Sequence, residues 1–188
     1  MQVKIEKKDG KIFVESPYSP ELPEAAKRLG GKWDGSRWVF DGRDIDRVKS
    51  LYLDLYGEDG VTKPELVTVR VTCLEDWESE YGTGLFLFGR MVARGFGRDS
   101  GAKLGDGVIL LNGELDTGGS RKYWYTIAME GTVLEIRDVP ARIVNDKNIP
   151  DDLKWEIIGE PEGPSKAALL EERQKLIDRI NEIDELLE

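Results

Sequence analysis

The stretch 19-SPELPEAAKRLGGKWDGSRWVF-40 decides how the first third of the chain folds. Ser19 suits a helix N-cap, Pro20 the first helical position, and Glu21 the positive end of the helix dipole. Leu22, Ala25, Ala26 and Leu29 recur at helical spacing, and Gly30 is placed to close the helix in the left-handed conformation. KWDGSRWVF then reads as a hairpin bent at Asp34-Gly35. Along its second arm Trp38 and Phe40 share one face, and Arg37 and Val39 the other. Two readings of Trp33 stand. In one it closes the rim of a core that Trp38 and Phe40 form under Leu22, Ala25 and Leu29. In the other it is a half-open stacking plate beside Lys32 and Arg37.

Before this stretch, QVKIEK and KIFVES alternate apolar and polar residues around Lys8-Asp9-Gly10, a hairpin signature. After it, Ile45, Val48, Leu51, Tyr52 and Leu55 mark a helix that begins near Asp41 and stops at Gly57. Residues 1–62 therefore read as a ββαββα module. VTKPELV has one proline and no hydrophobic pattern, as a linker would. From 63 to 160 short apolar runs punctuated by Gly and Asp predict an antiparallel β barrel or sandwich. In 161–188, Ser165 caps a last helix. Its Leu169, Leu176 and Ile183 recur every seven residues, as do Arg173, Ile180 and Leu187. So short a helix is marginal alone in water. The seam formed by Leu169, Leu176, Ile180, Ile183 and Leu187 must pack, either on a second copy or on a surface of this or another protein. The expected fold class is α+β.

Within the first module, Phe13, Tyr18, Pro20, Glu21, Leu22, Leu29, Trp33, Asp34, Trp38 and Phe40 form a pattern that resembles the HARP domain. That module accompanies annealing helicases and is associated with branched or forked DNA. The likeness covers Lys11 to about Leu55, under a third of the chain, and implies an accessory role toward nucleic acid. It implies no ATP hydrolysis, because no G-x-x-x-x-G-K-[ST] loop is present. The whole chain also looks like small proteins of bacterial mobile elements, which suggests a phage or plasmid origin.

Composition narrows the chemistry. Histidine is absent, which removes the usual general base and every Ser-His or Cys-His nucleophile. A non-enzymatic role is expected. The single cysteine, Cys73, excludes an internal disulfide and fits a reducing cytoplasm. No apolar run approaches the ~18 residues of a membrane span, and the N-terminus lacks a signal-peptide core. The net charge of −10 argues against non-specific duplex binding by the whole molecule. The acid is uneven, however. Residues 1–62 carry 11 Lys and Arg against 12 Asp and Glu, and 63–128 carry 8 against 9. Residues 129–188 carry 8 against 16, so local basic faces remain open in the first two-thirds.

One such face lies in LFLFGRMVARGFGR. As an unbroken strand it places Phe86, Phe88, Arg90, Val92, Arg94, Phe96 and Arg98 together, phenylalanines interleaved with arginines. Gly89, Gly95 and Gly97 invite bulges that would break the alternation. The loops GRDSGAKLGDG and DTGGSRKYWY offer glycine backbone N–H groups together with Ser100, Ser120, Arg98, Lys103, Arg121 and Lys122, either as an anion site or as ordinary turns. Asp99, Asp106 and Asp116 match no known cation loop, so neither metal nor cofactor is expected.

Two classes of function follow. The first is a nucleic-acid-binding accessory protein for single-stranded or branched DNA. It would stack bases on Trp33, Tyr123 and Tyr125, and contact phosphates through Lys32, Arg37, Arg94, Arg98, Lys103, Arg121 and Lys122. The alternative is a protein-interaction factor, such as an anti-defence inhibitor, whose acidic surface occupies a basic host nuclease or DNA-binding protein.

Overall fold

A computed structural model describes residues 3–146 and 149–159, together with Arg173, Gln174 and Leu176. The fold is mixed α and β, with strands predominating and all sheets antiparallel. Two separate hydrophobic clusters lie along the chain.

The first cluster begins with strands β1 (Lys4–Lys8) and β2 (Lys11–Glu15). Asp9 and Gly10, both at positive φ, turn the chain in two residues, as the right-handed strand twist favours. Helix α1 (Leu22–Arg28), strands β3 (Lys32–Trp33) and β4 (Trp38–Asp41), and helix α2 (Ile45–Tyr56) follow. The four strands lie in the order β1-β2-β4-β3. Alternation in β2 and β4 sends Ile12, Val14, Trp38 and Phe40 inward, against Leu22 and Ala26 of α1 and Val48 and Tyr52 of α2.

Helix α1 starts later than its sequence suggests. Its N-cap is Glu21, whose side chain makes no cap hydrogen bond to the helix, and Ser19 is buried with its carbonyl accepting the Leu22 N–H at 3.3 Å. The reason is Pro23. A helix beginning at Pro20 would need the Pro23 N–H to bond Ser19, and proline has none; starting at Leu22 keeps Pro23 within the first turn. The end is as expected. Gly30 is left-handed, its N–H reaches the Lys27 carbonyl, and the Gly31 N–H reaches Ala26, both at 2.9 Å. One 3₁₀ turn, Gly42–Asp44, precedes α2, and the Asp41 carboxylate accepts the Arg43 N–H there.

Around the second cluster lie β5 (Leu66–Cys73), β6 (Trp77–Glu78), β7 (Leu85–Leu87), β8 (Arg90–Arg94) and β9 (Lys103–Leu104). Strands β10 (Val108–Asn112), β11 (Leu115–Gly119), β12 (Trp124–Ala128) and β13 (Val133–Pro140) come next. Helix α3 (Ala141–Asp146) and β14 (Leu153–Ile158) complete it. These strands form three separate sheets, β10-β13-β5-β14, β11-β12-β6 and β7-β8-β9, rather than one continuous sheet. All three contribute to one core that includes Val69, Val71, Leu85, Val92, Ala128, Leu134 and Ile136.

The expected single strand across Phe86–Arg98 is instead a hairpin. Phe88 and Gly89, at φ 51° and 73°, turn the chain between paired Leu87 and Arg90. A phenylalanine at positive φ is strained, and here the ring is buried in compensation. Phe88 and Val92 therefore point into the core, and the continuous Phe-Arg face does not exist.

The two clusters meet at a close junction. A Cβ on Gly89 would lie 2.3 Å from the Leu55 carbonyl oxygen, and one on Gly57 2.9 Å from Pro140. The C-terminal seam through Leu169, Ile180, Ile183 and Leu187 lies outside the described residues. Arg173, Gln174 and Leu176 are helical, with Leu176 60% exposed. Among the described residues no helix is long and apolar enough to cross a membrane.

Candidate nucleic-acid interface

The expected contact residues fall into three places. The first is the β3–β4 hairpin. Trp33 and Trp38 are register partners, their rings edge to face at 5.7 Å, and Trp33 remains 55% exposed, while exposed Lys32 pairs with Val39 and lies on the other face. Arg37 is directed elsewhere: its guanidinium lies 4.1 Å over the Phe13 ring and its Nε is 3.3 Å from Asp34 Oδ2. The Asp34 carboxylate accepts the N–H groups of Ser36 and Arg37, which hold its pKa down at about 2. Trp33 is thus a half-exposed ring packed on Trp38 at the rim of the first core, and Arg37 belongs to the opposite face of the sheet.

The second place is built by β8, β9 and the turn after β8. Cross-strand pairing sets Arg94 directly opposite Lys103. The chain leaves the sheet at Gly95, whose N–H donates to Thr126 Oγ1 at 3.0 Å and whose Cβ would come 2.0 Å from Thr117. The next residue, Phe96, stands 63% exposed. Its N–H donates to Ser100 Oγ at 2.8 Å, which fixes the turn. The Arg94 guanidinium lies 5.6 Å and the Lys103 ammonium 5.9 Å from the centre of the Phe96 ring. Neither cation is in an ion pair with a described carboxylate. Arg94 Nε is buried without a hydrogen-bond partner among the described residues. Beyond Phe96 opens a pocket of about 560 Å³ lined by Gly97, Arg98, Asp99, Arg121 and Trp124. Arg98 is paired with Asp99 at 2.9 Å and holds that carboxyl below its ordinary range.

The third place is the other face of the β11–β12 hairpin. Tyr81 meets Tyr123 at 5.8 Å and Tyr125 at 6.4 Å, and Lys122 lies 5.1 Å over Tyr123. Tyr125 covers Gly118, where a Cβ would come 2.6 Å from its ring. Strand alternation along β12 puts Tyr125 on one face and Trp124 on the other.

The structure therefore unites Arg94, Lys103, Arg98 and Arg121 around Phe96, but sends Lys122, Tyr123 and Tyr125 to another face. Lys32, Trp33 and Arg37 stay on the first module. The glycine-rich loops spend their serines on themselves: Ser100 Oγ donates within its own turn to the Gly97 and Gly101 carbonyls, and Ser120 Oγ accepts the Tyr123 N–H. Sequence reading leaves Trp124 and Tyr81 out of the contact set. Trp124 carries a weak signal, its place in the alternating KYWYT. Tyr81 carries none, because only the bonds Ser79 N–H to Thr126 O and Gly82 N–H to Trp124 O bring it there. Among the described residues no three acidic or cysteine groups gather as metal ligands would.

The chain matches no family model, no curated protein and no solved structure. The likeness of residues 11–55 to the HARP domain rests on the residues quoted for it.

Proposed function

We propose that this is a non-enzymatic accessory protein that holds single-stranded or unpaired DNA against the Phe96 surface. One observation carries the reading: Arg94 and Lys103, two like charges, sit directly opposite in adjacent strands, 5.6 and 5.9 Å from the centre of an exposed aromatic ring. Such a pair lowers the stability of a sheet. A phosphate chain offsets that repulsion, while Phe96 offers its edge and open area to a base. Stacking contributes about 1–3 kcal/mol per base and tolerates any sequence. Trp124 and Arg121 extend the same pattern across the adjoining pocket. The HARP-like residues of the first module support a ligand with unpaired strands, and Trp33 is a second, separate plate for it. Self-association through the C-terminal heptads belongs to the same proposal, and the exposure of Leu176, one residue of that seam, supports it.

Anisotropy of a labelled oligothymidine tests the reading. Binding should weaken with salt, with a slope of about −2 for three phosphate contacts on a single strand. Phe96→Ala should weaken binding by roughly 5- to 100-fold. Arg94→Ala or Lys103→Ala should lower both affinity and slope. No binding of single strands, forks or duplex at low salt would overturn the proposal. The alternative, capture of a basic host protein by acidic surface, predicts that negative result together with a salt-sensitive protein complex.

A further inference from the structure

The surface around Phe96 does not end at Arg94. On its other side a cleft of about 340 Å³ opens between the segment linking β2 to α1 and the β8–β9 pair. Pro17 and Tyr18 form one wall, and Met91, Arg94 and Leu104 form much of the other. Tyr18 is 61% exposed, yet it is not loose. Its ring packs edge to face on Phe86 at 5.8 Å, and the Pro17 carbonyl before it accepts the Tyr56 hydroxyl at 2.8 Å. A large aromatic side chain is thus held in place with most of its surface in solvent. Arg94 is common to both sides, lining the cleft and lying against Phe96.

We infer that this junction cleft is a second subsite for single-stranded DNA, in line with the Phe96 surface, with Tyr18 as its stacking plate and Arg94 as the shared phosphate contact. The inference rests on the proposed single-strand binding at Phe96 and extends it. A cleft of about 340 Å³ has room for an unpaired base, which favours a single strand over a duplex whose bases are stacked inside. Its walls come from both modules, so the complete site exists only when the first module is docked on the β core. Asp106 also lines the cleft and opposes a phosphate there. Trp33 lies outside this track, on the β3–β4 hairpin.

Oligothymidines of graded length, from about three to twelve nucleotides, test the inference on the full chain. A strand too short to reach both subsites should bind equally well to wild type and to Tyr18→Ala. For longer strands wild-type affinity should rise, and Tyr18→Ala should lose roughly fivefold or more of that gain. Tyr18→Phe, which keeps the ring, should retain it. Asp106→Asn should strengthen binding of the longer strands by a few-fold. Equal affinity of Tyr18→Ala and wild type at every length, with Phe96→Ala still weakened, overturns the second subsite and leaves the first standing. Failure of wild type to bind any length overturns both.

Discussion

Asp34 shows how one carboxylate holds a candidate contact residue in place. Its oxygens take the Ser36 and Arg37 N–H groups and the Arg37 side chain, and so close the loop between Trp33 and Trp38. Because those donors favour the charged form, the carboxyl titrates at about 2 in the folded protein, below its ordinary value of 3.8. The sign follows from linkage. Asp34 supports the loop fully above pH 3.8, and that support disappears as the pH falls toward 2. The Trp33 indole N–H resonance should therefore shift between pH 4 and 2, and Asp34→Asn should remove that transition. The WDG run signals a turn in the sequence. That Arg37 is taken up by Phe13, and withdrawn from Trp33, follows from which face of β4 meets which face of β2.

At the scale of elements, the pairing of β8 with β9 decides where the positive charge lies. Arg94 and Lys103 are nine positions apart, with three glycines, an Arg-Asp pair and a serine turn between them. Their register is set by backbone bonds across the pair and by the close fit at Gly105, where a Cβ would lie 2.0 Å from the Met91 carbonyl oxygen. If the pair is kept for binding at some cost to stability, exchanging one charge should separate the two properties. Lys103→Glu should raise stability by about 0.2–1 kcal/mol, as opposite charges replace like ones. It should also remove single-strand binding. A thermal melt beside an anisotropy titration reads both; a variant that binds as wild type does would count against the proposed role of the pair. Helix α1, the Asp9-Gly10 hairpin and the inward faces of β2 and β4 were legible from spacing and turn residues alone. The β7–β8 hairpin was not, because its turn carries Phe88 where glycine or asparagine is the usual signal. The strained φ of Phe88 is held by burial of its ring, and burial is not a local property of the sequence.

For the molecule as a whole, the junction between the two clusters matters most. Gly89 lets the β7–β8 hairpin approach α2 so closely that a Cβ would meet the Leu55 carbonyl oxygen and the Tyr56 ring. Gly89→Ala should lower stability by more than about 1 kcal/mol, from the positive φ and the clash together, as read from the denaturant midpoint. It should also reduce the preference for longer oligonucleotides, because the cleft between Tyr18 and Arg94 needs both modules in place. The sequence by itself determined the mixed α and β composition, the near-neutral charge of the first two-thirds, the lack of histidine and most turns around the first core. These depend on residue type and on spacings shorter than a helix or a hairpin. Tertiary structure alone decided that Phe96, Arg94, Lys103, Arg121 and Trp124 lie together, that Tyr18 and Arg94 line one cleft, and that Tyr123 and Tyr125 point away. Several of those meetings join residues tens of positions apart, and strand register and side-chain packing select them rather than any local preference of the chain.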